Sequence, residues 1–283
     1  MTLEDLVENL TALGVAHEVR HSGADGAILL LPEYGRVLGV WAHWRGENAL
    51  WVNPDFILSL GSGAKDDGWR NPGGDRVWLA PAEEFLNGSA VPPSIDPGRY
   101  VFSSDRGAAC MTNRGDAWAR ASGVRVRFRF TRRVRPLDES GIDAVWGPTW
   151  LRRAGFEEEM ELEIEGKCAV PVQLWNLVQA QAGSQRLESA RGSDGGPRLL
   201  CIQDPESERA RLLVKSYETG GQEAGPTTAN TRGDTASAPV DFACLSPAIT
   251  RGSMRRLTWK ASLCAFSGRS TEVRQFASRI VIF

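Results

Sequence analysis

Val124-Arg125-Val126-Arg127-Phe128-Arg129-Phe130 is the stretch whose reading decides the fold. Apolar and basic residues alternate strictly, and side chains on a strand point to opposite faces in turn. Val124, Val126, Phe128 and Phe130 share one face, and three arginines share the other. A second stretch, Glu157 to Glu165, has the same length scale and the opposite charge. Met160, Leu162 and Ile164 share a face with Glu158, while Glu157, Glu159, Glu161, Glu163 and Glu165 line the other. An arginine ladder and a glutamate ladder predict neighbouring antiparallel strands joined by cross-strand ion pairs.

The same period of two extends outward in both directions. Upstream, strands are expected at Ala27 to Leu31, Arg36 to Trp44 and Ala49 to Asn53, with weaker ones at Arg99 to Ser103 and Asp116 to Ala121. Downstream they are expected at Val170 to Gln181, Arg198 to Gln203, Arg211 to Tyr217, Val240 to Leu245 and Leu257 to Phe266. Helical spacing occurs at the two ends only. Leu3, Leu6, Leu10 and Leu13 mark a helix over 2–13 that Thr2 and Asp5 can cap, and Val273, Phe276, Ala277 and Ile280 mark one from Thr271. Many short strands between terminal helices predict an all-β antiparallel sandwich. Residues 1–283 read as one domain. Gly183 to Pro197 reads as a loop, and 218–239 as a flexible insertion rich in Gly, Thr, Ala and Pro.

Composition narrows the function. The net charge of −2 gives no field to gather nucleic acid or an anionic membrane. No run reaches membrane-spanning length. The five cysteines are odd in number and widely spaced, which points to reduced thiols and a cytoplasmic protein rather than a disulfide framework or zinc site. No metal or cofactor motif is present: Gly61 to Lys65 lacks P-loop spacing, and Asp66, Asp67 and Asp75 lack EF-hand spacing. The oligomeric state is left open.

The candidate site is Gly68-Trp69-Arg70-Asn71-Pro72-Gly73-Gly74-Asp75-Arg76-Val77-Trp78. A turn requires Gly, Pro, Asn or Asp, but not two tryptophans bracketing an arginine. Flat rings beside bidentate donors suit a sugar, whose faces are apolar and whose hydroxyls both donate and accept. Trp69 and Trp78 are stacking candidates, and Asn71, Asp75 and Arg76 are hydroxyl ligands. The alternative is that Asp75 and Arg76 tie down a loop while the tryptophans fill the core. Gln173, Trp175 and Gln179 share a strand face and form a second polar and aromatic stripe, with Trp175 a further ligand candidate.

Trp51-Val52-Asn53-Pro54, Asn71 to Pro81, Val172 to Gln179 and Leu245 to Ile249 resemble, in order, a group of bacterial proteins related to the galactose mutarotases. The resemblance implies a β-supersandwich with a sugar on its concave face, and Asn71 and Arg76 as the hydroxyl-binding pair. Aldose epimerases of that superfamily also use a mid-chain histidine and a late glutamate. Here His17, His21 and His43 all precede the motif, and Val240 to Phe266 holds Asp241 but no glutamate. The remaining acid–base candidates are Asp75, Glu83 and Asp241. The expected function is binding of a mono- or oligosaccharide, with proton transfer at a hemiacetal carbon if the protein is catalytic. The alternatives are a non-catalytic sugar-binding protein and a scaffold that docks a protein through its tryptophans.

Overall fold

The computed structural model describes residues 1–61, 71–86, 91–146, 152–165 and 170–180, and beyond these the backbone of 186–190, 198–203, 211–218, 228–230, 240–245 and 256–267. Two antiparallel sheets face each other. One has seven strands: β1 (Glu18–Ser22), β2 (Gly26–Leu31), β3 (Arg36–Trp41), β4 (Asp75–Ala80), β9 (Gln173–Ala180), β14 (Val240–Leu245) and β13 (Thr228–Asn230), in that spatial order. The other has eight, in the order β10 (Arg186–Ala190), β11 (Arg198–Gln203), β12 (Arg211–Glu218), β15 (Arg256–Ser267), β8 (Arg152–Glu165), β7 (Val124–Pro136), β6 (Ala108–Ala119), β5 (Tyr100–Asp105).

The two charge ladders pair as expected. Arg127 stands opposite Glu165, Arg129 opposite Glu163 and Arg133 opposite Glu159. Phe128, Phe130, Leu162 and Ile164 on the reverse face meet Val77, Leu79 and Leu174 of the first sheet. A second cluster joins Ile28, Leu30, Val37 and Val40 to Val134, Ala154 and Phe156. Helix α1 (Leu3–Ala12) begins at Thr2 with the expected capping box to Asp5. Together with α2 (Pro54–Gly61) it covers the outer face of β2 and β3 through Leu6, Leu10, Phe56 and Ile57. β2 and β3 are therefore buried on both sides, which explains their unbroken apolar runs.

Several expectations need correction. Helices are not confined to the ends: α2, α3 (Ala82–Phe85) and α4 (Glu139–Trp146) lie between strands. Their short apolar patterns are too brief to stand out against period-two neighbours. Ala49 to Asn53 is not a strand, since only Leu50 and Val52 bridge, to Ala180 and Gly73. β4 falls in the candidate-site motif, where no strand was expected, and β10 inside the stretch read as a loop. Within 218–239, Thr228–Asn230 pairs with β14. The expected C-terminal helix from Thr271 lies outside the described residues.

The sheets are clamped by charge as well as by apolar packing. Arg132 on β7 and Glu158 on β8 continue the apolar faces of their strands and are buried between the sheets. The Arg132 guanidinium donates through Nε to Glu158 Oε2 at 2.6 Å and through Nη1 to the carbonyls of Gly35 and Asp75, both at 3.0 Å. Its Nη2 donates to Asp75 Oδ2. Asn176 Nδ2 donates to Asp75 Oδ1 at 2.7 Å and Glu158 Oε1 at 3.1 Å. Two carboxylates thus share one guanidinium away from water. Burial first, then the charge of Asp75, pushes Glu158 up to about 8 despite Arg132, and burial also raises Asp75. The trio is electrically neutral when one carboxyl keeps its proton.

The unfolded chain releases the Glu158 proton near its ordinary value of 4.5, whereas the native state holds it to about 8. This contribution to stability is full below pH 4.5, declines as pH rises and is lost through pH 8. Glu158→Gln keeps the shape without the titration. The unfolding free energy of wild type minus that of the variant is expected to fall with pH across this window, by up to about 1.4 kcal/mol per unit. Urea titrations at several pH values measure it; a difference independent of pH would mean that both carboxylates are ionised in the native state.

Candidate functional site

β4 presents two unlike faces. Its register with β9 sets Asp75 opposite Val178, Arg76 opposite Leu177 and Trp78 opposite Trp175. Asp75, Val77 and Leu79 therefore face the other sheet with Asn176, while Arg76 and Trp78 share the outer face with Trp175 and Gln179. α1 and α2 cover β2 and β3, and this outer face is the next one along the sheet.

The turn before β4 builds the cluster. Gly73 and Gly74 have φ of +92° and +74°, a conformation that side chains rarely adopt. A Cβ on Gly74 would fall 2.3 Å from the Val37 carbonyl oxygen. The turn directs Asn71 back over the strand, where its Oδ1 accepts from Gly73 N at 3.1 Å and from Arg76 Nη1 at 2.9 Å. Asn71 Nδ2 donates to Gln179 Oε1 at 2.8 Å, and the same oxygen accepts from Arg76 Nη1 at 2.5 Å. The guanidinium stacks over the Trp78 ring at 4.3 Å, and Trp175 meets Trp78 edge-on at 5.9 Å. Arg76 and Trp78 are only 6% and 7% exposed. A guanidinium, two amides and two indoles thus converge where little water competes.

The structure brings Asn71, Arg76, Trp78 and Trp175 together, and Gln179 with them. Asp75 is one residue from Arg76 but on the inner face, engaged by Arg132 and Asn176. Trp78 is partly committed to structure, since its Nε1 donates to Asp96 Oδ2 at 2.9 Å and Asp96 pairs with buried Arg36 at 2.5 Å. Glu83 is exposed on α3 beyond the end of β4. The backbone of Asp241 stands directly opposite Gln179, and that of Asn230 opposite Asp241. Register thus places Asp241 on the face of Arg76. Trp69 lies outside the described residues. His21 is on β1, His17 precedes it and His43 follows β3, so none lies on β4, β9 or β14. Among the described residues no cluster of His, Cys, Asp and Glu could hold a metal ion, and no helix is long and apolar enough to cross a membrane.

Arg132, Glu158 and Asp96 did not emerge from the sequence as partners of the motif. Arg132 has the parity of Phe128 and Phe130, and Glu158 that of Met160. A charge on an apolar strand face was the available signal.

No protein-family model matches the chain, and no curated protein sequence matches it. Solved structures do. A candidate aldose 1-epimerase from Escherichia coli K12 aligns over 89% of this chain and 100% of its own, with a TM-score of 0.52 and 9% identity. A galactose mutarotase-like protein from Lactobacillus casei ATCC 334 aligns over 88% of this chain and 100% of its own, at 0.48 and 8%. A 4-alpha-glucanotransferase from Thermococcus litoralis aligns over 88% of this chain at 0.48 and 12%, and this chain spans 37% of its length.

Gly74→Ala tests the turn. Strain at the positive φ and the clash with Val37 are expected to cost about 1–3 kcal/mol in urea unfolding. The two antiparallel sheets and the alignment over 89% of this chain give it the β-sandwich architecture of the candidate aldose 1-epimerase, the fold that the resemblance implied.

Proposed function

We propose that the chain binds a mono- or oligosaccharide on the outer face of β4, β9 and β14 and exchanges its anomers at the hemiacetal carbon. The observation that carries this reading is the Asn71–Arg76–Gln179 cluster against the Trp78–Trp175 pair. Guanidinium and amide groups offer donors and acceptors to sugar hydroxyls, and indole edges and faces accommodate the C–H surfaces of a pyranose. The fold shared with the candidate epimerase supports the substrate class.

Anomer exchange requires the O1–H proton of the hemiacetal to leave, the C1–O5 bond to break and O5 to take up a proton. Rotation about C1–C2 and the reverse steps give the other anomer. Arg76 is the group assigned to O5 as it gains charge, and water supplies the proton that O5 takes up. Asp241 is assigned as proton acceptor, because its register position faces Gln179 whereas the Asp75 carboxylate is held between the sheets. This carboxylate takes the place of the histidine that these strands lack.

A second reading, binding without catalysis, is favoured by that same lack of a histidine. Docking of a protein partner through tryptophans is not favoured. Trp41 and Trp78 are buried, and of the exposed pair Trp44 lies in the turn after β3 while Trp118 lies on β6 of the other sheet.

Thermal-shift titration with neutral sugars, uronic acids and sugar phosphates is expected to raise the melting temperature for one class. Arg76→Ala is expected to abolish that shift while circular dichroism stays native; a shift that survives sinks the site. Anomer-exchange NMR with the same sugar separates the two readings. Asp241→Asn is expected to keep the thermal shift and lower the exchange rate at least about 100-fold. Sugar binding with no exchange in wild type would establish the non-catalytic reading.

A further inference from the structure

β5 ends the eight-stranded sheet, with β6 on one side and, among the described residues, no strand on the other. Natural sheets guard such edges with charge, proline, bulges or brevity, because unpaired N–H and C=O groups recruit another strand. The other ends of the two sheets are guarded in this way. β1 carries Glu18, Arg20 and His21, β10 carries Arg186 and Glu188, and β13 has three residues. β5 reads Tyr100-Val101-Phe102-Ser103-Ser104-Asp105 and has no charge over its first five residues. It pairs with β6 without a bulge from Tyr100 to Asp105. Val101 and Phe102 are 70% and 41% exposed.

The charges flanking this edge are opposite and unused. Arg99 and Asp105 are both exposed, and neither joins an ion pair among the described residues. Extending the β5–β6 register by one residue sets Arg99 beside Arg114, which is also exposed. Register thus puts Arg99 and Arg114 at one end of the edge, and Asp105, followed in sequence by the exposed Arg106, at the other.

We propose that the chain forms a two-fold symmetric dimer by pairing β5 antiparallel with β5 of a second copy, Phe102 opposite Phe102. Alternate residues of a strand direct their N–H and C=O to the free edge. Two identical strands can therefore pair only in registers where the opposed residue numbers sum to an even value. Centring on Phe102 is one such register. It sets Val101 opposite Ser103, Tyr100 opposite Ser104, and Arg99 opposite Asp105 of the second copy, twice by symmetry. Centring on Val101 sets Arg99 against Ser103, and centring on Ser103 sets it against Gly107. Charge complementarity therefore selects Phe102 as the centre. The carboxylate of each copy meets the Arg99–Arg114 pair of the other, and the two eight-stranded sheets become one.

Sedimentation velocity on the full chain tests this over about 1–100 μM. Wild type is expected to dimerise in that range. Arg99→Asp and Asp105→Arg are each expected to weaken the dimer by about tenfold or more, and the double variant to restore it. Phe102→Arg, which opposes like charges at the two-fold axis, is expected to give a monomer. Native circular dichroism and melting temperature of each variant separate lost pairing from lost folding. A wild type that stays monomeric at about 100 μM, or a dimer insensitive to Phe102→Arg, overturns the proposal. Loss with Phe102→Arg but indifference to both charge reversals overturns the register.

Discussion

One guanidinium shared by two buried carboxylates governs the middle of this sandwich. Arg132 reaches from the eight-stranded sheet, and Asp75 and Asn176 meet it from the seven-stranded one. Apolar packing holds the sheets together without specifying how one slides over the other. A buried charge does specify it, since displacement by one residue would leave carboxylates without donors, and breaking a buried pair costs about 3–5 kcal/mol. Every Arg132 nitrogen has an acceptor, two of them main-chain carbonyls, so the group reads backbone position as well as charge.

β4 carries that constraint to the other side of the sheet. Asp75 is fixed on the inner face, so the next residue, Arg76, must point outward at a set height. Asn71 and Gln179 then hold it from two directions. Trp78 is fixed in the same manner through Asp96 and Arg36. The outer cluster therefore rests on a supporting layer of buried ion pairs, which is how polar side chains are kept in place for a ligand. Pro72, Gly73 and Gly74 in the preceding turn would not suffice, because a turn sets the direction of the chain but not the rotamer of an arginine.

Much of this was legible in the sequence, for reasons that differ by element. Val124–Phe130 and Glu157–Glu165 declared their partnership because charge and periodicity agreed, but not their register, since a shift by two residues pairs arginine with glutamate equally well. Asn71, Arg76, Trp78 and Trp175 were visible as residues that a turn and a strand do not otherwise need. β4 itself was hidden, since all six of its positions are buried and alternation vanishes when both faces are covered. α2 and α3 were hidden by their brevity. Asp75 illustrates the limit best: its neighbours in sequence belong to the outer face, and only the pleat reveals that its own side chain turns inward. Pairings such as Asp75 with Asn176 span 101 positions and leave no local trace.

That span also bears on how the chain is made. During synthesis Asp75 emerges first, then Arg132, then Glu158 and finally Asn176. Until β9 has left the ribosome, the charges of the central clamp have no dry, fully bonded place to go and remain hydrated. The two sheets therefore cannot close pairwise as they appear. They close late, when strands distant in sequence are all available, and sheets built from such contacts fold on the scale of about milliseconds to seconds. The interaction that fixes the architecture must wait for β9, with six further strands still to be made after it.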